Sequence, residues 1–199
     1  MKSLRTLFGR LLLVIALPLA LSACGYNTIP TLDNQVQAKW ADVQNQYQRR
    51  ADLIPNLVST VKGYAKQEQT VLIGVTQARA GAMQVRADAS TTEDPAAMQR
   101  YQAAQNNLTT ALIPFQRLQE AYPDLKSNAN FMALQSQLEG TENRISVARR
   151  DYNEAVRQYN TSLETFPSLL WAKTFQSGHK RKVPFEAAPA SQNAPTVTF

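Results

Sequence analysis

Apolar residues recur at steps of three and four along most of this chain. Leu32, Val36, Trp40, Val43, Tyr47, Ala51, Ile54, Val58, Val61, Ala65, Leu72, Val75, Ala78 and Ala82 follow one another this way, with one polar gap at Glu68. That spacing is one face of an α-helix, so Asp33–Arg86 is predicted helical. Unbroken, it is a rod about 80 Å long at about 1.5 Å per residue. Pro55 lies inside it, where a missing N–H and a ring clash predict a kink or a split. "ADASTTEDP" then reads as a loop, with Asp94 placed to cap the next helix and Pro95 in its first turn. That second helix is predicted to run to about Ala121, with Met98, Tyr101, Leu108, Leu112, Phe115 and Leu118 on one face. Pro114 is a second expected kink, and Tyr122-Pro123 ends the element.

A third helix is predicted from about Asn130, with Phe131, Leu134, Leu138, Ile145, Ala148, Tyr152, Val156, Tyr159 and Leu163 as its stripe. Phe166-Pro167 stops it, and "SLLWAKTF" adds one short apolar turn. No stripe is buried by its own helix, so the three helices are expected to pack as an elongated antiparallel bundle, all-α, spanning residues 31–175. The last stretch, 176–199, is rich in Pro, Ala, Ser and polar residues and is expected to be a disordered basic tail.

The N-terminus reads differently. Lys2, Arg5 and Arg10 precede a purely apolar run, Leu11–Ala20, with no acidic residue before the single cysteine, Cys24. A membrane-spanning helix needs about 20 apolar residues, so this run fits a secretory signal instead. Leu21, Ser22, Ala23 and Cys24 resemble the lipobox of bacterial lipoproteins. The resemblance implies cleavage after residue 23, acyl chains on Cys24 and a short lipidated linker over residues 24–30. A lone cysteine cannot form an intramolecular disulfide, and lipidation accounts for it. Two or more acyl chains hold a protein on a membrane firmly, where one at about 0.8 kcal/mol per buried CH₂ holds it marginally. Gly25 after the cysteine, in place of an Asp, favours the outer membrane facing the periplasm over the inner membrane.

Charge changes the picture little. The formal +6 includes three basic residues before Cys24, which leaves 18 basic against 15 acidic after it, or +3. Lys180, Arg181 and Lys182 against Glu186 place another +2 in the tail, so the body is nearly neutral. A high pI raises nucleic acid as a partner, but here the basicity sits at the two ends of an exported chain, and no nucleic-acid partner is expected. "HKRK" could lie against anionic lipid, worth about 1 kcal/mol per basic residue at the surface, or simply solubilise the tail.

Two long stretches carry a family resemblance. "RRADLIPNLVSTVKGYAKQE", Arg49–Glu68, and "AYPDLKSNANFMALQSQLEGTENRISVARRDYNEAVRQYN", Ala121–Asn160, resemble the signature segments of the LemA family, and "GYN" at Gly25–Asn27 and "FP" at Phe166-Pro167 match as well. The resemblance implies a helical bundle in the bacterial envelope with an N-terminal membrane anchor. Many relatives carry a plain membrane helix there, so a lipobox is a departure. Gln67 is another, at a position where relatives often carry His, which argues against a metal ligand there. The family's biochemical role is not established, so the resemblance gives location and fold rather than mechanism.

Catalytic and metal chemistry find little material. His179 is the only histidine and is read as a solvated loop residue; without a second His or Cys the usual zinc sets cannot be assembled. The Glu-x-x-His pair of bundle di-iron sites is absent. Glu139 and Glu142 share a helical face, but an ion pair from Glu142 to Arg49 or another arginine is preferred over acid–base work. No Gly-rich phosphate loop, nucleophile elbow or Cys/His pair occurs. The chain is read as a non-enzyme with no cofactor.

What remains is recognition. Arg49, Arg50 and Asp52 crowd the approach to Pro55 and Asn56, and Arg144, Arg149, Arg150 and Asp151 crowd the third helix. Their structural reading is a set of inter-helix ion pairs that fix register, and their functional reading is a charged patch for a partner protein. Tyr152-Asn153 and Tyr159-Asn160 repeat at seven residues and share a face, which predicts core tyrosines whose hydroxyls reach polar partners. The expectation is a lipid-anchored interaction or scaffold module with an unidentified envelope protein as partner. The alternatives are a membrane-organising rod and a regulator of an envelope protease. Whether copies of the chain form a homo-oligomer stays open.

Overall fold

The computed structural model describes residues 25–64, 68–85 and 87–186. Among the described residues six α-helices follow in order: α1 (Thr28–Lys62), α2 (Gln69–Gln84), α3 (Pro95–Ala121), α4 (Pro123–Lys126), α5 (Ala129–Glu164) and α6 (Ser168–Thr174). A single 3₁₀ turn, Ala89–Thr92, joins α2 to α3. Among the described residues there is no strand, and the fold is the expected all-α bundle. The signal segment, Cys24, Gln67 and residues 187–199 lie outside the described residues.

Helix starts follow local chemistry. The Asp94 carboxylate accepts the Ala96 N–H at 2.9 Å with Pro95 in the first turn of α3. Asn128 caps α5 through the Phe131 N–H at 3.0 Å. Asp88 and Thr91 form a reciprocal capping box on the 3₁₀ turn, each side chain accepting the other's backbone N–H.

The long first stripe does divide, but not at Pro55. Helix α1 runs through the proline and ends at Lys62, and α2 begins at Gln69. Pro55 cannot donate to the Ala51 carbonyl one turn earlier. Arg79 from α2 takes over, its Nε–H reaching that carbonyl at 2.7 Å. With the orphaned acceptor satisfied, the helix has no need to break there.

Helices α1 and α5 are antiparallel over nearly their whole length. Trp40 meets Tyr152, Arg50 meets Glu142, and Tyr64 meets Asn128. Helix α2 folds back along α1 and packs on α3, where the Tyr122 hydroxyl donates to Glu68 at 3.3 Å. The core falls into two clusters. One holds Val36, Trp40, Tyr47, Tyr101, Tyr152 and Tyr159 near the end where the chain enters. The other holds Ile54, Leu57, Leu108, Leu112, Phe131 and Leu138 beyond it.

The tail expectation needs correcting for its first half. Residues 176–186 are not a loose tail: Phe185 and Lys182 are both 5 % exposed, and Phe185 belongs to the first core cluster. The segment is held by contacts no helical period reveals.

Candidate functional site

Arg50 sits where the two core clusters meet, only 1 % exposed. One guanidinium nitrogen donates to Thr109 Oγ1 at 2.8 Å and Glu142 Oε1 at 2.9 Å; the other donates to Gln105 Oε1 at 2.7 Å and the Gln105 carbonyl at 3.2 Å. The Tyr47 ring lies 5.1 Å from its central carbon. A rigid guanidinium fork suits this convergence of acceptors from α3 and α5. Glu142, one of the two glutamates noted as a carboxylate pair, is therefore an ion-pair partner, as preferred, and its arginine is Arg50.

That placement removes Arg50 from any partner surface. Its chain neighbour Arg49 is exposed, as are Asp52 and Asn56 on α1 and Arg144 and Arg150 on α5. Asp52 accepts from Gln48 one turn away at 2.8 Å. Asp151 is half-exposed, 3.1 Å from Arg150 and 3.9 Å from Lys39 on α1. Among the described residues the inter-helix pairs on these stretches are thus Arg50–Glu142 and Lys39–Asp151; Arg149 is half-buried, and Arg49, Asp52, Arg144 and Arg150 stay exposed.

Part of the exposed set borders a groove. Asp42 and Gln46 from α1 and Asn143, Arg144, Val147, Ala148 and Asp151 from α5 line a cleft of about 350 Å³. Val147 is 47 % exposed in it, and the Gln46 Oε1 is buried without a hydrogen bond. Charged rim, apolar floor and one unused acceptor are the materials of a protein-binding groove.

The second constellation is one the sequence only half shows. Asn153 accepts the Phe185 N–H at 2.8 Å and donates to the Phe185 carbonyl at 3.0 Å. Asn160 does the same to Lys182, both bonds at 2.9 Å. Each carboxamide thus stands in for a neighbouring strand's peptide group. The spacing explains the fit. Seven helical residues rise about 10.5 Å, and three extended residues rise about 10 Å. The Tyr-Asn repeat at seven residues therefore matches Lys182 and Phe185 at three. The Tyr152 hydroxyl adds a bond to the Val183 carbonyl at 2.9 Å, and burial pushes this phenol up, keeping it a donor.

Side chains of the segment complete the clasp. Phe185 packs on Trp40 and Tyr152, while the half-buried Arg149 lies 4.8 Å over its ring and donates to the Glu186 carbonyl. Lys182 reaches Asp33 at 3.0 Å and Glu93 at 2.8 Å. His179 corrects the solvated-loop reading: it is half-buried, its Nδ1 3.3 Å from the Tyr159 hydroxyl and 4.0 Å from Asp33. The sequence signal for this docking was the alternation of Val183 and Phe185 around Pro184, a two-residue period inside a stretch of loop-like composition.

Among the described residues no three His, Cys, Asp or Glu side chains converge as a metal set, and no helix is long and apolar enough to cross a membrane. The LemA family model matches residues 39–199, which take in α1 from Lys39 onward, all of α5, the Arg50 junction and the clasped segment. The chain belongs to the LemA family. Two curated proteins of Paramagnetospirillum magneticum (strain ATCC 700264 / AMB-1) are similar to it: magnetosome protein MamQ 1 and magnetosome protein MamQ 2. Each is 26 % identical over 189 residues, covering 87 % of this chain and 68 % of its own length. LemA membership thus rests on the helical body and the clasp together.

Proposed function

We propose that this LemA protein is a non-catalytic interaction module of the bacterial envelope, lipid-anchored through Cys24 and facing the periplasm, with the outer membrane favoured by Gly25. The groove between α1 and α5 carries the reading, because it joins the exposed Val147 to an unused Gln46 acceptor beneath a rim of Arg144, Asp42 and Asp151. Its occupant is an envelope protein. The likeness to two magnetosome proteins favours a second reading, in which the bundle organises membranes.

Site-specific photo-crosslinking in cells separates the two. A photoreactive residue replaces Gln46, Arg144 or Val147 in turn, with exposed Gln77 on α2 as a control position. One protein adduct shared by the three groove sites and absent at Gln77 is expected, and a protease as that adduct would make the module a regulator. Lipid or self adducts alone would sink the binding-module reading and bring membrane organisation forward. The same spectra read the mass on Cys24, and Cys24→Ser is expected to release the chain from the membrane fraction.

A further inference from the structure

Four of the ten large hydrophobic side chains exposed among the described residues gather at one end of the molecule: Tyr26 at 46 %, Phe166 at 77 %, Leu170 at 51 % and Phe175 at 74 %. Two of them, Tyr26 and Phe175, lie against Trp171 on α6, and Leu170 is its chain neighbour. The Tyr26 ring meets Trp171 edge-on with centroids 5.4 Å apart, and the Phe175 ring lies 5.6 Å from Trp171, tilted to it. The cluster is built rather than frayed. Gln176 donates to the Tyr26 carbonyl at 2.9 Å, and Gly25 is buried so closely that an added Cβ would stand 3.0 Å from Pro167 and 3.5 Å from Trp171. A side chain there would have to push the Pro167 ring aside by a few tenths of an ångström.

We infer that this aromatic end is a membrane foot that seats in the interfacial layer of a lipid bilayer. Three observations select lipid as the occupant. Residues 1–24 lie outside the described structure and enter it at Gly25, so Cys24 is one peptide bond, about 3.8 Å between Cα atoms, from the patch. The exposed Lys173 sits in the last turn of α6 and the exposed Lys180 follows seven residues later, two cations of the kind that headgroup phosphates attract. A tyrosine and a tryptophan, whose rings carry a polar edge, stand here with exposed apolar side chains and basic residues, the composition that settles at a bilayer interface. The inference uses the membrane-anchored reading only for the position of Cys24. It adds an orientation: with the foot at the entry end, α1 and α5 rise away from the bilayer instead of lying along it.

The chain's two tryptophans make the test direct. Trp40 is 4 % exposed in the core, and Trp171 is in the foot. The full chain is reconstituted into phosphatidylcholine–phosphatidylglycerol vesicles containing lipids brominated near the headgroup. With Trp40→Phe, the emission of Trp171 is expected to be quenched; with Trp171→Phe, the emission of Trp40 is not. Phe166→Ser/Phe175→Ser is expected to abolish the Trp171 quenching while the protein still floats with the vesicles and its helical circular dichroism is unchanged. Trp171 emission as insensitive to brominated lipid as that of Trp40 would overturn the foot, as would loss of its exposure in a stable dimer. A chain recovered free of membranes would count against the Cys24 anchor alone; vesicles added to that chain in excess then decide the foot by the same quenching.

Discussion

Adjacent residues of one type can do opposite work, as Arg49 and Arg50 do. Arg50 is buried and supplies four hydrogen bonds to α3 and α5, whereas Arg49 points into solvent. Removing one partner of a buried charged network leaves the others unpaired, so Arg50→Ala is expected to lower unfolding free energy by about 3–5 kcal/mol in urea titrations. Arg50→Lys keeps the charge but not the fork and is expected to cost about 1–3 kcal/mol. Arg49→Ala is expected to stay within about 0.5 kcal/mol of the parent. Equal effects at both positions would contradict the buried junction. Among the described residues Lys182 is the other enclosed cation. Burial pulls its pKa down, but hydrogen bonds to Glu93 and Asp33 outweigh burial and hold it above the ordinary lysine value of 10.5. A group raised on folding contributes its stability in full below its unfolded pKa and loses it as pH rises through the folded one. The gap in melting temperature between the parent and Lys182→Met is therefore expected to stay flat from about pH 7 to 9 and to narrow only above about pH 10.5. Narrowing between 7 and 9 would mean that burial wins and the lysine is depressed.

Elements depend on how such residues relieve each other's deficits, and Pro55 shows this most clearly. Its missing N–H orphans the Ala51 carbonyl, and Arg79 satisfies that carbonyl from the next helix. In a double-mutant cycle, Arg79→Met is expected to cost about 1–2 kcal/mol in the parent and clearly less in Pro55→Ala, where the backbone donor returns. Additive effects in thermal melts would show that Arg79 does not replace the lost bond. The same case shows why this part of the fold was only partly legible. The stripes of α1, α3 and α5 are set by burial against neighbouring helices, so their period is written in the sequence, and the ends of α3 and α5 agree with it within a few residues. The break after Lys62 is not written there, because Val61, Ala65 and Leu72 continue the stripe across it and only Gly63 punctuates it. A proline looks like a breaker until a distant arginine is known to be in reach. The Asn153/Asn160 clasp is half-legible for a similar reason. Its seven-residue repeat is visible, but its partner is an extended segment of loop-like composition, where docking leaves no helical period to read. Groove membership was legible by charge density for Arg144 and Asp151, and misleading for Arg50, whose burial depends on acceptors far away in sequence.

At the scale of the whole molecule, these pieces give a rod with two unlike ends. Helix α1 alone, with 35 residues, spans about 52 Å at about 1.5 Å per residue. One end carries the chain entry, the aromatic foot and a core cluster closed by the C-terminal segment; the other is the four-helix packing around Leu57, Leu108 and Leu138. The Arg50 layer separates them. The first cluster has fewer long helices to close it, since α2 packs chiefly along α3 toward the far end, and Phe185 fills the space a further helix would occupy. Full burial of such a side chain contributes about 1.5–3 kcal/mol. Losing Lys182 as well would leave Asp33 and Glu93 facing each other without a cation, for about another 1–3 kcal/mol. One kcal/mol shifts the melting temperature by about 2–4 °C in a chain of this size, so truncation after Gly178 is expected to lower it by about 10 °C. Trp40, whose ring lies 5.7 Å from Phe185, should shift its emission to the red in the same protein. Phe185→Ala in the full chain should reproduce about half of the loss, which separates the segment's core contact from the residues beyond it. Both variants should still sediment with membranes, because the anchor, the rings of the foot and Lys173 lie before the cut, and only Lys180 of the foot is lost with the truncated segment. A truncated chain that melted within about 2 °C of the parent, with Trp40 emission unchanged, would take residues 182–185 out of the core and leave the Asn153/Asn160 pair without its structural role.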